Sequence, residues 1–227
     1  LGNSVEDTLW GFYQMVENLP AMRHSFDLRE LAGRFAGWPA IVVGAGPSLD
    51  KNFSLLHEVK DRAVLIATDA ILKRMLAEGV RPHAVACLER EETNYTKYFK
   101  GIEEDVSDIL FVPVTVCVPE MAGTWKGPLM LAHKAGLPLE DWMSQISGIA
   151  QIRGGPSVSN VCYALALALG CRTVAFVGQD LAFGEGRTTH AAGAGWDGQT
   201  IENFAQLSGR VRPVPGSVED EVLTDDF

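Results

Sequence analysis

The sequence predicts an α/β fold, a mostly parallel sheet with helices on both faces, preceded by a short N-terminal helical arm. Three observations predict it. From Pro39 onward, apolar runs of strand length alternate with segments of helical periodicity. Those runs are continuously apolar rather than alternating, as expected of strands covered on both faces. Glycines stand where the helices should stop. A chain of 227 residues, 47% of them hydrophobic, can bury a core of that size. The expected division is an arm over 1–38 and a single domain over 39–227.

The arm begins at Ser4, three residues ahead of Asp7 in a capping-box-like arrangement, and Leu9, Phe12, Tyr13 and Val16 recur at helical spacing up to Pro20. A second helical pattern covers 27–35. Strands are expected at 40–43, 63–67, 84–88, 109–116, 129–133 and 173–177. Helices are expected at 48–59, 70–78, 91–99, 139–146 and 157–169, with Gly79 and Gly170 as stops. The segment 211–222 mixes proline, glycine and acids and reads as an edge strand with a loop.

Charge narrows the partners. With 19 basic against 29 acidic residues, the formal net charge is −10, a field that repels nucleic acid and anionic membrane surfaces. A small anionic ligand stays compatible, because backbone N–H groups at a helix start bind phosphate locally. Cys87, Cys117, Cys162 and Cys171 sit singly in apolar runs and read as buried thiols of a reducing compartment. No apolar run is long enough to span a bilayer, and the first residues lack the basic and apolar regions of a signal peptide, so a cytoplasmic location is expected. The sequence does not start with Met and reads as part of something longer.

Ligands of a parallel α/β sheet bind beyond the carboxyl ends of its strands, so the residues after each strand are the candidates. After the first strand, Gly44, Gly46, Pro47 and Ser48 form a glycine turn into a helix, the arrangement that cradles a phosphate or nucleotide. After the second, Asp69 stands where an acid holds ribose hydroxyls, and it equally suits an N-cap. Glu89 follows the third strand. Gly154, Gly155 and Ser157 repeat the glycine-turn logic before an apolar helix, offering a second anion contact. Gly178, Gln179 and Asp180 follow the last strand. Beyond them His190 lies in a glycine-rich loop, 184–198, with Thr188 and Thr189, long and flexible enough to act as a lid or an acceptor-binding loop. The other histidines read as surface or packing residues. Leu49 replaces the third glycine of G-x-G-x-x-G and no Walker pattern occurs, which disfavours NAD, FAD and P-loop chemistry. No metal site is expected, since no zinc ligand set is present.

The string Ile41-Val42-Val43-Gly44-Ala45-Gly46-Pro47-Ser48-Leu49-Asp50, then Gly155-Pro156-Ser157-Val158, then Gly178-Gln179-Asp180-Leu181-Ala182-Phe183 with His190, resembles the central domain of the motility accessory factor family. That family is related to hydroxymethyl-dihydropterin pyrophosphokinases of the MptE type, and its central domain is similar to bacterial sialyltransferases. The resemblance covers roughly 39–194. It implies a Rossmann-like, sialyltransferase-like domain that passes a nonulosonic sugar from a CMP-activated donor to Ser or Thr hydroxyls of flagellin. His190 would be the catalytic base with Asp180 and Gln179 beside it, and the two glycine turns, Asp69 and Glu89 would hold the nucleotide. Glu89-Arg90 stands where an Asp-containing turn is expected, and Pro156 follows its glycines, both departures from the pattern. Two other readings stay open: an ATP-dependent diphosphotransferase using Mg²⁺ held by acids of the cleft, and a non-catalytic nucleotide-binding or interaction module.

Overall fold

Short valine- and isoleucine-rich runs, each closed by a glycine, proline or polar residue, make the sheet, and its order follows from which of them are apolar on every side. A computed structural model of the chain describes residues 4–200, 202, 211–216 and 222–225. Its strands are β1 (Pro39–Val43), β2 (Val64–Thr68), β3 (Ala84–Cys87), β4 (Leu110–Pro113), β5 (His133–Lys134), β6 (Gln151–Ile152), β7 (Thr173–Val177), β8 (Val211–Val214) and β9 (Val222–Asp225). The main sheet has the order β4-β3-β2-β1-β7, all parallel, with Val42 opposite both Ile66 and Phe176. Parallel bridges from Phe111 to Leu129 and from Val114 to Ala132 continue it towards the small β5–β6 pair. The expected mostly parallel α/β fold is therefore present.

The helices are α1 (Val5–Glu17), α2 (Leu19–Met22), α3 (Leu28–Leu31), α4 (Leu49–Asn52), α5 (Leu56–Val59), α6 (Leu72–Ala77), α7 (Glu92–Asn94), α8 (Pro119–Thr124), α9 (Pro138–Ser147) and α10 (Val158–Ala168). Gly79 and Gly170 adopt positive φ just past α6 and α10, the left-handed stop that glycine accepts without a Cβ penalty.

Several expectations change. The continuous helix over 48–59 breaks into α4 and α5 across a 3-10 turn that buries Phe53. The one over 91–99 becomes α7 followed by a wide π turn, Tyr95–Phe99, which brings both Tyr98 and Phe99 into the core. The strand over 109–116 stops at Pro113, because the Cys117 N–H turns back to the Val114 carbonyl. α3 ends well short of 35, and the stretch after it is held instead by backbone bonds from Gly33 and Phe35 to Ala168 and Leu169. α8 was not anticipated. β8 and β9 form an antiparallel hairpin where an edge strand and a loop were expected, with 217–221 outside the described residues.

Burial separates the central strands from the edge. Every residue of β2 and β3 is buried, whereas β7 is half-covered and Phe176 is 45% exposed, stacked only against Tyr163 of α10. Burial on both faces was expected of β7 as well. Among the described residues β7 is an edge strand paired with β1, and none of its residues is buried.

The arm docks by Met15 and Met22, which lie in the core with Phe12 packed against it, and by polar bonds beside them. Asn18 donates to the carbonyls of Thr115 and Cys117 at 2.9 and 2.8 Å, Gln14 donates to the Arg90 carbonyl, and Arg90 pairs with Asp7 at 2.6 Å. Leu9, Tyr13 and Val16, whose spacing announces the helix, face outward. His133 is fully buried, with Nδ1 2.9 Å from both the Thr115 hydroxyl and Glu140 Oε2 and Nε2 3.0 Å from the Ser147 hydroxyl, a packing network that ties α9 to β5 and leaves Glu140 Oε1 without a partner.

Candidate nucleotide cleft

β1 lies between β2 and β7, so the chain leaves its carboxyl end and that of β7 toward different elements and a crevice opens there. It has a volume of about 1000 Å³. Its walls are the turns after β1 and β7, Asp69 after β2, Glu89 after β3, the start of α10 and the loop carrying His190.

The two glycine-bearing turns lie against each other. Gly44 N–H donates to the Val177 carbonyl, Gly46 N–H to the Gly178 carbonyl at 2.7 Å, and Ser48 N–H to the Asp180 carboxylate at 3.2 Å. A Cβ on Gly44 would sit 2.5 Å from the Gly178 carbonyl oxygen, and one on Gly46 would collide with the Asp180 carboxylate. Glycine is required here for backbone approach between turns, and the Ser48 N–H already carries an internal anion. The β7 turn is itself tight: Gly178 has φ +66, and Leu181 adopts φ +51, a left-handed conformation that costs a branched-chain residue energy.

The start of α10 is built differently. Ser157 and Asn160 form a reciprocal capping box, and a Cβ on Gly155 would lie 2.5 Å from Asn160 Oδ1. Gly154 and Gly155 thus shape the approach to the helix, while Ser157, Val158 and Ser159 line the cleft with the helix N-terminus behind them.

Asp69 lies at the floor, 3% exposed. Burial pushes its pKa up to about 7; the nearby Cys87 thiol pulls it back and the charge of Glu89 adds to it. Burial also raises Glu89, helped by Glu91. His190, half-buried, has Nδ1 2.9 Å from the Thr189 hydroxyl, and burial followed by the charge of Lys97 holds its pKa below 6.5.

The loop expected to be a flexible lid is docked. Ala191 N–H donates to the Ala45 carbonyl, Gly195 N–H to the Ala70 carbonyl at 2.9 Å, and Ala192 N–H to Asp50. Trp196 Nε1 donates to the Tyr98 hydroxyl, and Lys97 sits over the indole face.

The cleft therefore brings together Gly46, Pro47, Asp69, Glu89, Ser157, Gly178, Gln179, Asp180 and His190. Gly44, Ser48, Gly154 and Gly155 stand behind its wall and support it. Sequence reasoning missed Asn94, Tyr98, Trp196 and Arg212, all on the lining. A tryptophan between Gly195 and Gly198 was the available signal, since a large aromatic in a glycine-rich loop needs a docking partner.

Among the described residues, no three His, Cys, Asp or Glu side chains come together as a metal-holding group, and no helix is long and apolar enough to cross a membrane.

Fold and cleft define a Rossmann-like α/β domain with a crevice at the carboxyl ends of its central strands. More particularly, the family described as 6-hydroxymethylpterin diphosphokinase MptE-like matches residues 13–186, and the chain belongs to it. A solved structure of a MAf glycosyltransferase from Magnetospirillum magneticum AMB-1 has the same fold, with a TM-score of 0.63 at 19% identity. That likeness covers 94% of this chain and 32% of the other, so the chain spans about a third of that protein's length. No curated protein matches the sequence.

Proposed function

We propose that the chain is a cytoplasmic transferase domain in which His190 deprotonates an acceptor hydroxyl that attacks a nucleotide-activated donor. The observation that carries this reading is His190 on the wall of the same cleft as Asp180, Gln179 and the α10 start, where burial lowers its pKa. The donor is a CMP-activated nonulosonic sugar and the acceptor a Ser or Thr of flagellin, a reading supported by the motif resemblance and by the fold shared with a MAf glycosyltransferase. The acceptor oxygen bonds to the anomeric carbon, its proton passes to His190, and the bond to the CMP phosphate breaks with inversion. Backbone N–H groups at the α10 start meet the charge left on the phosphate. Gln179 and Asp180 orient the acceptor.

A second reading has its own observation. The cleft is lined by Asp69, Glu89, Glu91 and Asp180 against Arg212, an acidic surface that suits a nucleotide carried with Mg²⁺. Family membership supports a diphosphoryl group passing to a pterin hydroxymethyl. A thermal-shift series separates the two: stabilisation by CMP in EDTA supports sugar transfer, and stabilisation requiring ATP, Mg²⁺ and 6-hydroxymethylpterin together supports diphosphoryl transfer. A flat response to all of these leaves a non-catalytic module and refutes both. His190→Ala should slow sugar transfer by roughly 100-fold to 10,000-fold.

A further inference from the structure

Two buried polar atoms at the cleft floor have no protein partner. Asp69 Oδ1 accepts the Ala70 N–H at 2.8 Å, but Oδ2 accepts no hydrogen bond. The neighbouring Thr68 is 5% exposed, and its buried hydroxyl is also unpartnered. Leaving a carboxyl oxygen unsatisfied away from water is costly, and native proteins rarely do so without a reason. The surroundings relieve it only in part: the Cys87 thiol is near enough to lower the Asp69 pKa but makes its hydrogen-bond contacts with the Glu89 carbonyl and Met121, and Tyr98 and Trp196 are bonded to each other.

Both orphaned residues line the cavity, with Asn94, Tyr98 and Trp196 beside them. An acceptor oxygen, a hydroxyl able to donate, and an aromatic wall form a seat for a planar nitrogen heterocycle. A phosphate or sugar carboxylate is a poor occupant, because the Glu89 charge already opposes an anion at this place.

We propose that Asp69 is the residue by which the cleft selects a heterocycle carrying an amino group over its oxo counterpart, by accepting the amino N–H on Oδ2. Thr68 donates to the ring atom next to that amino group. The inference rests on the cleft being the nucleotide site, and it replaces the ribose contact first expected of Asp69. The shared chemistry is an amino group next to a ring nitrogen, which the cytosine of a CMP donor and the ring of a pterin acceptor both present.

The test is calorimetric binding of two amino/oxo pairs, CMP with UMP and 6-hydroxymethylpterin with the corresponding lumazine, to the wild type and to Asp69→Asn. In the pair that uses this seat, the wild type binds the amino member roughly 10-fold to 100-fold more tightly, the worth of a hydrogen bond to a charged or buried acid. Asp69→Asn brings that ratio near one, because the amide can turn its NH₂ toward an oxo group. The pair showing the effect identifies the occupant. Equal binding of both members of both pairs by the wild type overturns the inference, as does a preference that survives Asp69→Asn; in either case the nucleotide reading stands. If no member of either pair binds, the inference and the nucleotide reading fall together.

Discussion

Removing the charge of Asp69 should stabilise the protein, and by an amount that depends on pH. In the unfolded chain this carboxyl ionises near 3.8, and in the fold only near 7. Between those values the folded state holds a proton that the unfolded state has lost, so stability falls as pH rises and levels off above about 7. Asp69→Asn keeps the Oδ1 acceptor for the Ala70 N–H and removes the titration. Its stability advantage over the wild type should be on the order of 4 kcal/mol at pH 8 and less than half of that at pH 5, growing with pH between. For a domain of this size the larger figure corresponds to a rise of about 8–16 °C in Tm. Urea unfolding of both proteins at pH 5, 6, 7 and 8 and constant ionic strength measures it. A gap that is absent, or that stays constant across this range, would show that Asp69 is not a buried, desolvated acid and would refute the account of the cleft floor.

Three further outcomes are expected. Wild-type kcat/KM for transfer should rise with pH through a midpoint below 6.5 and be flat by pH 7.5, since burial disfavours protonated His190; His190→Ala should lose roughly 100-fold to 10,000-fold in kcat at pH 7.5, read in a steady-state assay. Gly46→Ala should destabilise by roughly 1–3 kcal/mol in chemical denaturation, because its Cβ meets the Asp180 carboxylate and the Gly178 carbonyl, whereas Gly123→Ala, with open space around it, should change little. Trp196→Phe, which keeps the ring and loses the bond to Tyr98, should speed proteolytic cleavage within 184–198 and raise KM more than it lowers kcat; unchanged cleavage would mean that the backbone bonds of Ala191 and Gly195 alone hold the loop.

How much of this was legible depended on whether the signal was local. β1, β2 and β3 were readable because residues buried on both faces leave uninterrupted apolar runs, and the same logic misled at β7, whose run is equally apolar but lies at an edge. The periodicity of α1 correctly announced a helix, yet an amphipathic pattern says only that two faces differ. The face that docks carries Met15 and Phe12 into the core together with Gln14 and Asn18, whose partners lie 76 and 97–99 residues away. At the site, the need for glycine at 44 and 46 was visible and its cause was not. The atoms that forbid a side chain there belong to Gly178 and Asp180, 132 residues on from Ser48 in the case of the Asp180 bond. His190 and Asp180 could be nominated from their places after strands. The orphaned oxygen of Asp69 could not, since an unmade hydrogen bond is a property of the assembled neighbourhood.

The most direct test of the central claim is a crystal structure of the chain with CMP. The account predicts the phosphate against the backbone N–H groups of Val158 and Ser159 at the start of α10, the base on the floor beside Asp69 and Thr68, and the His190 ring facing the open side of the phosphate. Nucleotide bound outside the crevice at the carboxyl ends of β1 and β7, or a crevice left empty at saturating CMP, would contradict it.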